Sequence, residues 1–167
     1  DHVLRALPAV RAAMPAAHLR VYGDGAALGE LRALAAELGI DDAVAWTGHV
    51  ADPATQAWAS ADVLVLASTN EGQPLVVLEA LAAGVPVVAY DMPYGPRDTL
   101  ARGGGVLVAD GDIDALAAAL IDVLSDRERR AKLAAEGRTA AAAMDAAASM
   151  RALGDAVRTA LASPAPR

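Results

Sequence analysis

Two glutamates stand out in the segment 68–88, which reads STNEGQPLVVLEALAAGVPVV, because they are its only charged residues. Glu71 lies in a polar, glycine-containing loop, whereas Glu79 lies in a helical run of Leu, Val and Ala. Desolvating an unpaired carboxylate costs several kcal/mol, so a glutamate on a helix buried nearly all round must find donors, and paired ribose hydroxyls would provide them. Alternatively, Glu79 reaches the rim and pairs with an arginine while Glu71 is solvated. The residue types leave both interpretations open.

The same segment predicts a helix that begins near Pro74, just after a strand. Proline is favoured in the first turn of a helix, where backbone N–H groups have no intrahelical acceptor. The amides of Gln73, Leu75 and Val76 would therefore point out of the helix start, toward a phosphate or a sugar hydroxyl. Open α/β sheets bind ligands beyond the carboxyl ends of their parallel strands, so the loop before Pro74 is the predicted ligand site.

Short apolar runs alternate with helical runs from the beginning of the chain to about residue 125. The predicted strands are Leu19–Tyr22, Val44–Trp46, Val63–Leu66, Val87–Ala89 and Val106–Val108. The predicted helices include a leucine-periodic run closed by Gly39, the residues 74–83, and a helix opened by Asp112. This alternation predicts an α/β fold in which right-handed crossovers place helices on both faces of a parallel sheet.

The two ends of the chain depart from this alternation. Residues 1–14 read as a helix, although an α/β domain usually opens with a strand, so we expect one strand to be missing and the sheet to be weak or completed from elsewhere. Ser125 and Glu128 form a capping-box pattern that predicts a new helix, followed by Ala-rich helix with breaks near Gly137 and Gly154. We therefore divide one domain into a ligand-binding α/β part, residues 1–125, and Ala-rich C-terminal helices with a frayed tail, residues 126–167.

The composition excludes several classes of function. The chain has 167 residues, a formal charge of −7 and no cysteine. The acidic balance argues against non-specific binding of nucleic acid, and the lack of cysteine excludes a disulfide framework and a thiolate metal site. The three histidines are scattered and do not group as metal ligands. No apolar run is long and unbroken enough to span a bilayer, so we expect a protein of the cytoplasm.

The spacing of the two glutamates resembles a known signature. Glu71 and Glu79, within EGQPLVVLEALAAGVPVVA, are similar to the Glu-x7-Glu donor-site signature of retaining GT-B glycosyltransferases. The segments LRVYGDG, AWTGHV, ASADVLVLAS and GVLVADGDIDALAAAL also occur in the order and spacing of that family's C-terminal domain. The resemblance covers about residues 1–125 and implies a Rossmann-like half-domain that binds a nucleotide sugar.

The resemblance implies a role for each matching residue. Glu79 is similar to the carboxylate that holds the ribose, and Glu71 to the acidic, catalytic residue that faces the hydroxyls of the donor sugar. Val50 is similar to the residue whose main chain reads the nucleobase. The backbone of residues 72–75 is similar to the cradle for the sugar and the diphosphate. The donor-binding residues implied in this way are Glu71, Gly72, Gln73, Pro74, Leu75, Glu79 and Val50.

The chain also departs from the family pattern. Gln73 stands where an aromatic residue is common. The first strand of the domain has no counterpart here, and neither do the Arg and Lys that follow it and neutralise the diphosphate. The N-terminal domain, which holds the acceptor and most catalytic side chains, is absent as well, so the chain resembles a fragment. Gly23 and Gly25 resemble a turn near the pocket, although a tight strand-to-helix turn explains them at least as well.

The turn at 91–97, DMPYGPR, is a finer clue. Tyr94, Gly95 and Pro96 resemble the subgroup that includes poly(glycerol-phosphate) α-glucosyltransferases, which decorate teichoic-acid-type polymers. A rigid turn alone also explains these residues. Arg97 is expected to form a surface ion pair rather than to face the pocket.

The resemblance implies that the intact enzyme transfers a hexosyl group from a nucleotide sugar with retention and without a metal ion. It also implies that this chain is the donor-binding half of that enzyme and is inactive alone. The expected partners are the nucleotide-sugar donor and an acceptor-binding N-terminal domain. That domain would make the enzyme peripheral to the membrane, in polysaccharide or teichoic acid biosynthesis. The alternatives are a non-catalytic nucleotide-binding module or truncated fragment, and a domain like that of sugar-nucleotide epimerases.

Overall fold

The computed structural model describes residues 1–50, 56–72 and 74–144. The strands are β1 (Leu19–Tyr22), β2 (Val44–Gly48), β3 (Leu64–Leu66), β4 (Val87–Tyr90) and β5 (Gly105–Val108). The helices are α1 (His2–Ala13), α2 (Leu28–Glu37), α3 (Leu75–Ala83), α4 (Pro96–Leu100), α5 (Ile113–Ser125) and α6 (Arg127–Ala142). Strands and helices alternate from α1 to β2 and from β3 to α5, and the α/β fold predicted from the sequence is confirmed.

The strands are parallel and form two groups. β1 pairs with β2, and β3, β4 and β5 pair in that order. The edge of β1 that faces away from β2 and the edge of β3 that faces away from β4 border one cavity of about 1110 Å³. We call this cavity the slot, and its apolar walls include Leu4, Leu7 and Val10 of α1. The carboxyl ends of the strands carry the loops that form the candidate site.

β4 is the central strand of the larger group and is buried on both faces. All four of its residues are fully buried, which accounts for its uninterrupted apolar sequence. Val88 and Tyr90 pack in the layer that contains α1 and α5, whereas Val87 and Ala89 pack against α3 and α4. The two core layers therefore alternate along β4, as side chains of a strand must.

Two of the predicted helix ends are confirmed and one is wrong. Asp112 opens α5, since its Oδ1 accepts a hydrogen bond from the Ala115 amide at 2.8 Å. Gly39 follows α2 with φ +66°, in the left-handed region that favours glycine. The capping box at Ser125 and Glu128 is wrong, because α5 continues through Ser125 and the carboxylate of Asp126 caps α6 instead.

The break predicted at Gly137 is also wrong, because α6 continues through this residue. α6 packs against α3, and a Cβ atom on Gly137 would lie 2.9 Å from Cδ2 of Leu81. The glycine therefore permits close packing of two helices rather than ending one. The break near Gly154 and the predicted tail lie outside the described residues.

Candidate functional site

The loop that follows β3 leads directly into the N-terminus of α3. Pro74 is the N-cap residue, with φ −71° and ψ +102°, and the helix begins one residue later than the sequence predicts. The Val77 amide donates to the Pro74 carbonyl at 3.0 Å. The amides of Leu75 and Val76 therefore precede the first intrahelical bond and are available to an external acceptor. Gln73, the third predicted donor of an amide, lies outside the described residues.

Glu71 and Glu79 occupy different surroundings from those predicted. Glu71 is half-buried in the loop, whereas Glu79 is exposed, so the premise that α3 buries it nearly all round is wrong. The buried face of α3 carries Val77 and Leu81, and Glu79 points to the opposite side because it lies two residues from each. Among the described residues neither glutamate forms an ion pair, so the pairing of Glu79 with an arginine is not observed there.

The exposed face of α3 is nevertheless placed next to a concave surface. Glu79 and Val76, three residues apart and on the same side of the helix, both border the slot. Leu75 is 65% exposed at the first position of the helix. A carboxylate, two available amides and an apolar side chain thus share the open side of α3. This combination can bind a polar ligand through hydroxyl and phosphate groups.

Two glycine turns meet at the carboxyl ends of β1 and β2. The Gly23 amide donates to the Gly48 carbonyl at 2.7 Å, and both residues have positive φ, +113° and +72°. Val50 follows in the same loop as Gly48 and is half-buried. The structure therefore brings the 23–25 turn and the 48–50 loop together at the predicted edge. Val50 does not border the slot that Glu79 borders.

The turn between β4 and α4 packs against the loop of Glu71, a contact that sequence reasoning missed. Gly95 has φ +81°, and a Cβ atom there would lie 2.7 Å from the Gly72 carbonyl oxygen and 2.9 Å from Cδ of Pro74. Gly72 and Gly95 also share a cavity of about 510 Å³ with Tyr94. Tyr94 is 72% exposed. The only signal in the sequence was the glycine between two prolines and next to a tyrosine.

Arg97 forms the surface ion pair that the sequence predicts. Its Nε donates to Oδ1 of Asp91 at 2.6 Å, and both side chains are substantially exposed. This hydrogen bond holds the pKa of the Asp91 carboxyl below its usual range. The pair spans the turn that carries Tyr94 and Gly95, so it braces that turn rather than contributing a charge to the site.

We expect Arg97→Gln to raise the pKa of Asp91 toward the ordinary value of an aspartate, because the donated hydrogen bond is lost. A lowered pKa in the folded state contributes stability above the unfolded-state pKa, and this contribution disappears as the pH falls through the folded-state pKa. In Arg97→Gln the free energy of unfolding should therefore no longer include this loss at acidic pH. NMR titration of the Asp91 carboxyl measures the shift, with Arg102→Gln as a control for loss of charge. An unchanged Asp91 pKa in Arg97→Gln would show that the ion pair does not set it.

Known proteins resemble this chain in sequence and in fold. A family model for the glycosyl transferases group 1 matches residues 1–140. The chain is 39% identical over 128 residues to the exopolysaccharide phosphotransferase SCO2592 of Streptomyces coelicolor, covering 75% of this chain and 14% of that protein. It is 36% identical over 146 residues to a GDP-mannose-dependent alpha-(1-6)-phosphatidylinositol monomannoside mannosyltransferase of Mycobacterium tuberculosis, covering 83% of this chain and 38% of that protein.

Among solved structures, TarM of S. aureus in complex with fondaparinux, alpha-GlcNAc-glycerol and UDP superimposes with a TM-score of 0.79 and 22% identity, over 84% of this chain and 28% of that one. The fold is thus that of a GT-B half-domain. The chain belongs to the family of glycosyl transferases group 1. It spans well under half the length of the relatives named above.

No helix in the described part of the chain is long and apolar enough to cross a membrane. No group of three or more His, Cys, Asp or Glu side chains is arranged there to hold a metal ion.

Proposed function

We propose that this chain is the donor-binding half of a glycosyltransferase that transfers a hexosyl group from a nucleotide sugar with retention at the anomeric carbon. One observation carries the proposal. The loop after β3 carries Glu71 and leads into α3, which has available amides at its N-terminus and an exposed Glu79 beside the slot. Membership of the glycosyl transferases group 1 family supports it.

Each group has a proposed task. The Glu79 carboxylate accepts hydrogen bonds from both ribose hydroxyls, and Glu71 accepts from the hydroxyls of the donor sugar. The Leu75 and Val76 amides at the N-terminus of α3 donate hydrogen bonds to the departing diphosphate and stabilise the negative charge that develops on it. The main chain of Val50 contacts the nucleobase. In this proposal no metal ion takes part in stabilising the charge on the diphosphate.

The intact protein is proposed to carry the acceptor in a second domain, with donor binding closing the cleft between the two. The mannosyltransferase relative is named for GDP-mannose and the TarM structure is described with UDP, so neither fixes the base for this chain. From the turn at Tyr94–Pro96 we propose a teichoic-acid-type polymer as acceptor. We also propose a location in the cytoplasm, with the second domain holding the enzyme at the membrane surface.

A nucleotide-binding module without transferase activity is the second candidate. One observation favours it. This chain aligns with only 14% of the length of a relative that is named a phosphotransferase rather than a glycosyltransferase.

The test is thermal unfolding of the intact protein with UDP, GDP, ADP and their hexose conjugates, followed by transfer assays with the conjugate that binds. A nucleotide at about a hundred times its Kd should stabilise the fold by roughly 2.7 kcal/mol. Stabilisation by one base together with release of that nucleoside diphosphate in the presence of a glycerol-phosphate polymer supports the transferase. Stabilisation without turnover on any glycan acceptor supports the module. No stabilisation by any nucleotide contradicts both proposals.

A further inference from the structure

The cavity of about 510 Å³ beside the turn at 91–97 is separate from the groups proposed to bind the donor. Within the described part of the chain, the two glutamates and the helix-start residues Leu75 and Val76 do not border it. We call it the turn cavity, and its described walls are Gly72, Tyr94, Gly95, Asp98, Thr99 and Met144. A ligand in the turn cavity would therefore be a second ligand, bound beside the donor.

The turn cavity has the size and the fixed walls of a small-molecule site. Its volume lies within the range of about 300–1,000 Å³ that is usual for ligand pockets. Two of its walls are packed together, because a Cβ atom on Gly95 would lie only 2.7 Å from the Gly72 carbonyl oxygen. The ion pair between Arg97 and Asp91 braces the same turn. A ligand thus enters a site that is already formed, which lowers the entropic cost of binding.

The charges around the turn cavity favour hydroxyl groups over phosphate groups. Asp98 is exposed and forms no ion pair among the described residues. An ionised carboxylate only accepts hydrogen bonds, so it binds hydroxyl donors and repels a phosphate. No described residue that borders the cavity is a Lys, Arg or His, and the neighbouring Arg97 already donates to Asp91. The charges therefore favour an uncharged ligand that is rich in hydroxyl groups.

Tyr94 gives the turn cavity an aromatic wall. Its side chain is 72% exposed, so the ring is accessible to a ligand. A pyranose ring has C–H groups on its faces and hydroxyl groups around its rim. One face can therefore pack on the tyrosine ring while rim hydroxyls donate to the Asp98 carboxylate. The hydroxyl of Thr99, another residue of the wall, can donate or accept a further hydrogen bond.

We propose that the turn cavity binds one uncharged hexose or polyol unit of the acceptor, with Tyr94 against its face and Asp98 accepting from its hydroxyls. Gly72 directly follows Glu71 in the chain, so this unit lies next to the donor sugar. In a teichoic-acid-type polymer the phosphate groups stay outside the cavity. The inference rests on the proposed function, since it takes Glu71 to face the donor sugar.

Titration of the intact protein with methyl α-D-glucopyranoside, followed by NMR, tests the site without a donor. We expect saturable shifts of the backbone amides of Gly72, Gly95 and Thr99, and no shift at Gly39, which lies before β2. Glucose 6-phosphate has a similar ring and an added negative group, so it should bind at least about threefold more weakly. Absence of shifts at the three amides, or tighter binding of the phosphate, would overturn the proposal.

Substitutions at the two exposed wall residues show which contacts hold the sugar. Tyr94→Ala should weaken binding of the glucoside about two- to tenfold, whereas Tyr94→Phe keeps the ring and should bind like the wild type. Asp98→Asn should reduce the preference for the glucoside over glucose 6-phosphate. Asp114→Asn is the matched control, because Asp114 is also exposed in the first turn of a helix. Equal losses in Tyr94→Phe and Tyr94→Ala, or equal effects of Asp98→Asn and Asp114→Asn, would exclude these contacts.

Binding of the nucleotide sugar separates this proposal from the proposed function. Tyr94→Ala should leave the Kd of the nucleotide sugar unchanged, because the turn cavity holds the acceptor unit and not the donor. If Tyr94→Ala weakens the nucleotide sugar as much as the glucoside, the cavity belongs to the donor site and the proposal is wrong. If the intact protein binds the glucoside but no nucleotide, the proposed function fails and with it the acceptor role, while the sugar site itself is retained.

Discussion

Replacing Glu79 by alanine is expected to weaken binding of the nucleotide-sugar donor about 10- to 100-fold, because hydrogen bonds to a charged group contribute roughly 1.5–3 kcal/mol. The carboxylate is the only acidic group on α3, and it faces outward beside the slot. Its exposure also means that no packing is lost with it. Glu79→Ala should therefore leave the unfolding temperature of the ligand-free protein close to that of the wild type.

Isothermal titration of the intact protein with its donor measures the loss. Glu79→Gln retains one carbonyl acceptor and should bind with an affinity between those of the wild type and Glu79→Ala. Glu37→Ala removes another exposed glutamate, from the last turn of α2, and controls for net charge. Wild-type affinity in Glu79→Ala would exclude the ribose contact. Equal losses of donor affinity in Glu79→Ala and Glu37→Ala would show that the effect comes from the change in net charge and not from a contact with the ribose.

The elements of the sheet could be predicted because their sequences satisfy a local rule. β4 is covered on both faces and consists of uninterrupted apolar residues. β1 was located to the residue, although the exposed Arg20 interrupts its apolar run. The other strands differ by one or two residues at their ends, where pairing with a neighbour decides the boundary. The position of the loop at the carboxyl edge followed from the alternation of strands and helices alone.

The burial of Glu79 could not be predicted from the same information. A helix made almost entirely of apolar residues has no polar face that would mark its exposed side. Its sequence is therefore compatible both with complete burial and with burial of one face only. In the structure α3 buries Val77 and Leu81 and leaves its other side toward the slot. Which face is open depends on how α3 packs against β4 and α6, and α6 lies outside the segment 68–88.

The helix cap and the glycine inside α6 show the same limit. Asp126 and Ser125 are both suitable N-cap residues, and the choice between them depends on where α5 ends. Gly137 looks like a helix breaker in isolation, but it lies against Leu81 and Gly104, which are more than 30 residues away in sequence. Local propensity was therefore overridden by close packing between elements.

Among single glycine-to-alanine substitutions near the site, Gly95→Ala is expected to distort the loop of Glu71 most. The added Cβ atom would lie 2.7 Å from the carbonyl oxygen of Gly72, and φ is +81°. Backbone strain of about 1–2 kcal/mol adds to an overpacking cost of about 1–3 kcal/mol. A backbone oxygen cannot rotate away as a side chain can, so the loop of Glu71 must shift. We expect donor affinity to fall at least about tenfold, with a loss of stability of roughly 2–5 kcal/mol.

Gly111→Ala separates the two causes of that loss. Gly111 also has a positive φ, +75°, but a Cβ atom there meets nothing within 4 Å. This variant therefore carries backbone strain without the clash, and its donor affinity should equal that of the wild type. Denaturant unfolding and titration of both variants with the donor give the comparison. Should Gly95→Ala match Gly111→Ala in stability and in affinity, the contact between the 91–97 turn and the Glu71 loop would have no part in holding the donor site in place.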